Sequence, residues 1–143
     1  MIRVVFNQKG GVGKSSISTN LAAISASRGV KTLVVDLDPQ CNTSHYLLGE
    51  RVNDTVGDIK DFYEQTLSFQ MSPKPVTDFI HRTDYDNLDL LPSHPELGDL
   101  HAKLEAKHKI YKLRDALSKL DQYQAIFIDT PPAFNFYPFS ALC

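Results

Sequence analysis

The stretch that most limits how this chain can fold lies in its first 28 residues. A short run rich in β-branched side chains, residues 2–6, leads into NQKGGVGKSS, residues 7–16. Beyond it, Ile17, Leu21 and Ile24 recur at i, i+4 and i+7. The run reads as a buried strand. The recurrence reads as one face of a helix over residues 15–28, stopped by Gly29. Between the two, Gly10, Gly11 and Gly13 give the backbone unusual freedom, and Lys9 and Lys14 flank them. Glycines let a loop approach an anion with its N–H groups turned inward. A helix that opens on the loop points its positive end at the same charge. Strand, glycine loop and helix in this order therefore form a cradle for a polyphosphate. Lys14 would reach the β- and γ-phosphates and the Ser15 hydroxyl would ligate Mg²⁺. The usual spacing, G-x-x-x-x-G-K-[ST], is met at Gly13, Lys14 and Ser15, but Gln8 stands where the first glycine belongs.

The rest of the chain alternates in the same way. Residues 31–35 read as a second buried strand, ending in DLDPQ. Residues 44–48 suggest a short helix. Residues 58–67 carry Ile59, Phe62, Tyr63 and Leu67 at helical spacing, and the proline-rich 71–75 is a loop. Residues 87–93 form a short strand ending at Pro92. Residues 95–121 read as one long helix with Leu97, Leu100, Leu104, Tyr111, Leu113, Leu117 and Leu120 inward. Residues 125–128 form a further strand, running into Asp129. Strands separated by helices need crossover connections. The expected fold is α/β, a mostly parallel sheet flanked by helices, in one domain over residues 1–143. Asp36, Asp38 and Asp129 each stand at the C-terminal end of a strand, the edge where open α/β sheets bind ligands.

Composition narrows the class further. The net charge of −2 supplies no bulk polycation for nucleic acid, and no apolar run approaches the ~20 residues of a membrane span. Cys41 and Cys143 are too few for a disulfide framework and lack metal spacing. Cys41 reads as an unreactive small thiol. His101, Glu105 and His108 share a helix face that reads as solvated, as do the lysines of the long helix. Tyr46 and Tyr111 read as packing residues.

KGGVGKSS resembles the deviant phosphate loop of the ParA/MinD class of ATPases. STNLAAISASRGVKTLVVDLDPQCNTS, residues 18–44, resembles the stretch that follows the loop in ParA-type partition ATPases, and NLDLLPS, KLRDAL and FIDTPPA recur in that family. The resemblance covers essentially all 143 residues and is weakest over residues 49–86. It implies a P-loop NTPase fold that binds ATP and Mg²⁺ through Lys9, Gly10, Gly11, Val12, Gly13, Lys14, Ser15 and Ser16. It implies that Lys9 reaches across a dimer to the partner's nucleotide, completing a catalytic set with Lys14 and Asp38. Asp38 orients the attacking water and helps organise the metal, Asp129 holds Mg²⁺ through water, and Asp36 supports the switch region. Position 41 more often holds glycine in the family.

The implied function is slow, partner-stimulated ATP hydrolysis for chromosome or plasmid partitioning. A homodimer forms on ATP, binds DNA non-specifically and meets a centromere-binding protein in the cytoplasm, on the nucleoid. The alternative is a MinD-like, membrane-associated spatial regulator, and DLDPQ followed by NTS favours the ParA type. A metal-cluster carrier of the nitrogenase iron-protein kind would need cysteines that residues 131–142 do not offer. Amide- and biotin-pathway synthases with a related loop commonly lack the signature lysine, here Lys9. The resemblance also implies a strand order of 88–91, 32–36, 125–129, 2–6. It places the end of this sequence inside the helix after the Walker B strand, with an unpaired edge at residues 2–6 prone to association.

Overall fold

The computed structural model describes residues 2–5, 14–54, 57–68, 71–106 and 111–131. Strand β1 is Ile2–Val5 and helix α1 is Lys14–Ser27. Strand β2, Thr32–Asp36, is followed by helix α2, Asn42–Leu48, and helix α3, Ile59–Leu67. A 3-10 turn, Val76–Phe79, leads into β3, His81–Arg82, and β4, Leu88–Leu91. Helices α4, Leu97–Ala106, and α5, Tyr111–Leu117, precede β5, Ala125–Asp129.

The sheet runs β1-β5-β2-β4-β3. β1, β5, β2 and β4 are parallel neighbours, in the order that the resemblance implies, and β3 pairs antiparallel with β4. Successive side chains of a strand face opposite sides, and the core divides accordingly. Leu33, Val35, Leu91, Ile126 and Ile128 pack with α3, α4 and α5. Val34, Leu88, Leu90 and Phe127 pack with Ala22 and Ala26 of α1 and Leu47 and Leu48 of α2. Helices therefore cover both faces, which is why β2 is buried along its whole length. Helix α3 starts on a reciprocal capping box. Asp61 N–H donates to Asp58 Oδ1 at 3.1 Å, and Asp58 N–H donates to Asp61 Oδ2 at 3.0 Å.

Two expectations need correction. The face of α1 that packs on the sheet is Ser18, Ala22 and Ala26, whereas Ile17, Leu21 and Ile24 are 55%, 45% and 49% exposed. Small residues let the helix lie close to the sheet, where Val34 and Phe127 supply the bulk. The long helix expected over residues 95–121 is described as α4 and α5, and residues 107–110 between them lie outside the described residues. Tyr111 and Tyr46 are exposed, and the Arg114 guanidinium lies 4.8 Å from the Tyr111 ring centre. Finally, β3 has only two residues, too few to leave a periodic signal. It covers the free edge of β4, while Val76 and Phe79 of the turn before it are buried.

Candidate functional site

Two central strands bring the carboxylates together. β2 and β5 are paired in register, so Asp36 lies directly beside Asp129 at the strand ends. The chain then leaves β2 with Leu37 N–H donating to the Asp129 carbonyl at 2.8 Å. Both side chains are fully buried, and Asp38 is 8% exposed. A buried carboxylate must be hydrogen-bonded or neutral, and Asp36 is fully engaged. Its Oδ1 accepts from Asp38 N–H at 3.0 Å. Its Oδ2 accepts from the Ser44 N–H at 3.0 Å and the Ser44 hydroxyl at 2.7 Å. Burial nevertheless pushes its pKa up to about 7; the Ser44 hydrogen bond resists and the charge of Asp129 adds to the rise. Asp38 Oδ1 accepts from Gln40 N–H at 3.0 Å, fixing the turn through Pro39. Asp129 Oδ2 accepts from the Thr43 hydroxyl at 2.7 Å.

Asp36, Asp38 and Asp129 thus meet at one sheet edge, as their places in the sequence suggest. Lys14, Ser15 and Ser16 open α1, the first helix after the glycine loop. Lys9, Gly10, Gly11, Val12 and Gly13 lie outside the described residues. Oxygen donors of this kind suit a hard cation. Among the described residues no three His, Cys, Asp or Glu side chains are grouped to cage a metal. Both Asp36 oxygens accept hydrogen bonds from the loop and helix that follow β2.

Thr43, Ser44 and Ser93 are the residues that the chain's pattern did not single out. Ser93 N–H donates to the Ser44 hydroxyl at 3.0 Å, tying the end of β4 to α2. Thr43 and Ser44 stand three and four residues beyond DLDPQ, but hydroxyls so near a helix start also read as ordinary capping. Cys41 sits before α2 in the left-handed region, with φ 60°, and is buried. Burial, with Asp36 nearby, pushes its thiol up to about 11. His101 corrects the reading of a solvated face: it is buried, edge-on to the Tyr63 ring at 6.0 Å between centres. A separate cleft of about 720 Å³ between α3 and α5, floored by Phe62, Leu67, Val76 and Leu120, contains none of these carboxylates.

A family model described as an AAA domain matches residues 1–143. The chromosome partitioning protein ParA of Myxococcus xanthus is 36% identical over 140 residues, an alignment covering 96% of this chain and 47% of that protein. The chain belongs to the ParA-type branch of this AAA-domain family. Its fold agrees. A plasmid partition protein from Borrelia burgdorferi superposes with a TM-score of 0.72 at 28% identity, covering 92% of this chain and 56% of that one. A cobyrinic acid a,c-diamide synthase from Mycobacterium smegmatis, with bound ADP and magnesium, gives 0.76 at 29%, covering 92% and 51%. The chain therefore spans about half the length of the relatives it matches. Among its described residues, no helix is long and apolar enough to cross a membrane.

Proposed function

We propose that the protein is a ParA-like ATPase that binds Mg·ATP and hydrolyses it slowly to ADP and phosphate under the control of a partner. The observation that carries this is the buried pair Asp36 and Asp129, side by side on neighbouring central strands, with Asp38 in the turn beyond. The glycine–lysine loop leads into α1 of the same sheet. Phosphoryl transfer needs positioning and charge neutralisation more than a strong base. Lys14 and the N–H groups of residues 10–16 hold the phosphates, and Ser15 and Asp129 serve the metal. Mg²⁺, when bound, neutralises charge on the β- and γ-phosphates. Asp38 helps organise the metal and orients water for in-line attack, and Asp36 keeps the Asp38 turn in place. Lys9 reaches outward to a second subunit and completes its site, so ATP drives a face-to-face homodimer. Membership of the ParA-type family and the bound nucleotide of its structural relatives support this reading. The dimer would bind DNA through phosphate contacts without reading sequence and be stimulated by a centromere-binding protein, in the cytoplasm on the nucleoid.

Lys14→Ala should abolish Mg·ATP binding, whereas Asp38→Ala should bind but not turn over. Lys9→Ala should bind ATP yet neither dimerise productively nor hydrolyse it; wild-type turnover by this variant would refute the role in trans. Retention on DNA should require ATP and weaken steeply with salt. Retention on anionic liposomes instead would favour a MinD-like spatial regulator.

A further inference from the structure

The first turn of α2 presents two consecutive hydroxyls to two different strands. Thr43 Oγ1 donates to Asp129 Oδ2 at the end of β5, at 2.7 Å, and Ser44 Oγ donates to Asp36 Oδ2 at the end of β2, also at 2.7 Å. Successive helical residues point roughly 100° apart, so one turn can meet both strand ends. Thr43, Ser44, Asp36 and Asp129 are all fully buried, where water cannot substitute for a missing donor. Ser44 has a role complete within the fold: it joins Asp36 to the backbone of Ser93. Thr43 serves the other acid of the pair: its hydroxyl reaches 86 residues along the chain to the Asp129 carboxylate at the end of β5.

We propose that Thr43 is a positioning residue for Asp129: its hydroxyl holds the carboxylate in the orientation that serves Mg²⁺, so that metal affinity is coupled to the placement of α2. This rests on the reading of Asp129 as the metal-side acid. The effect acts through another residue, as hydrogen bonds to metal-binding carboxylates generally do, and removal of such a bond commonly costs 10-fold or more in metal affinity. Because coupling is reciprocal, anything that displaces α2 also weakens Mg²⁺ binding.

The test is the ATP affinity of the protein, measured by calorimetry, with EDTA and across a Mg²⁺ series, for wild type, Thr43→Val and Thr43→Ser. Valine keeps the volume and removes the hydroxyl; serine restores the hydroxyl. The expected result is that Thr43→Val needs roughly 10-fold more Mg²⁺ for half-maximal tightening, with its affinity in EDTA unchanged and Thr43→Ser matching wild type. An unchanged Mg²⁺ midpoint in Thr43→Val overturns the inference. So does an equal loss with and without Mg²⁺, which marks a purely structural role. A wild-type affinity that is itself indifferent to Mg²⁺ overturns the reading of Asp129 on which the inference stands.

Discussion

Ser44 is the side chain on which the carboxylate edge depends most directly. It donates twice to the buried Asp36, from its backbone and its hydroxyl, and accepts from Ser93 N–H. Ser44→Ala removes the hydroxyl and leaves both a buried acceptor and a buried donor short of a partner. Such losses cost about 1–3 kcal/mol, so the urea midpoint should fall by the equivalent of about 2 kcal/mol with an unchanged slope. Cys41 makes a second prediction at this scale. Its thiol is buried and raised to about 11, so little thiolate exists near neutrality. In a Cys143→Ser background, a disulfide reagent at pH 7.5 should label Cys41 only as fast as the protein opens, and rapidly in denaturant. Fast labelling of the folded protein would contradict its burial. The left-handed φ of 60° at this position is one that glycine adopts without steric cost.

Among the elements, α4 carries a test of packing. His101 is buried against Tyr63, and burial lowers its pKa to about 4, against an ordinary 6.5. The unfolded chain therefore binds the proton more readily, and stability contributed by neutral His101 is lost as pH falls from about 6.5 towards 4. A shift of this size corresponds to about 3 kcal/mol across that window. Asp36, raised to about 7, runs the opposite way, being stabilising at low pH and less so as pH rises. The difference between wild type and His101→Leu isolates the histidine: the variant should lose less stability than wild type between pH 6.5 and 4. Equal pH profiles would place the imidazole in solvent. The same histidine shows where pattern reading fell short. Its helix and the inward Leu97, Leu100 and Leu104 follow the pattern, but the burial of His101 beside them depends on Tyr63, 38 positions away in sequence. α1 shows this more sharply, because alanines and a serine pack on the sheet while the bulky Ile17, Leu21 and Ile24 face outward. Hydrophobic period locates a helix, but close approach to a sheet selects small residues. Strands were easier, since β2, β4 and β5 are apolar runs buried on both faces.

For the molecule as a whole, the acids were legible because crossover topology forces strand ends to one edge, and Asp36, Asp38 and Asp129 each follow an apolar run. Their hydroxyl partners were not, because Thr43 and Ser44 meet Asp129 and Asp36 only after β2 and β5 pair. The central claim is that the glycine–lysine loop and this carboxylate edge form one Mg·ATP site. Isothermal titration of Mg·ATP into wild type and Lys14→Ala tests it most directly. The account predicts one nucleotide bound per chain in wild type and no measurable binding in Lys14→Ala; equal affinity in the two would contradict it.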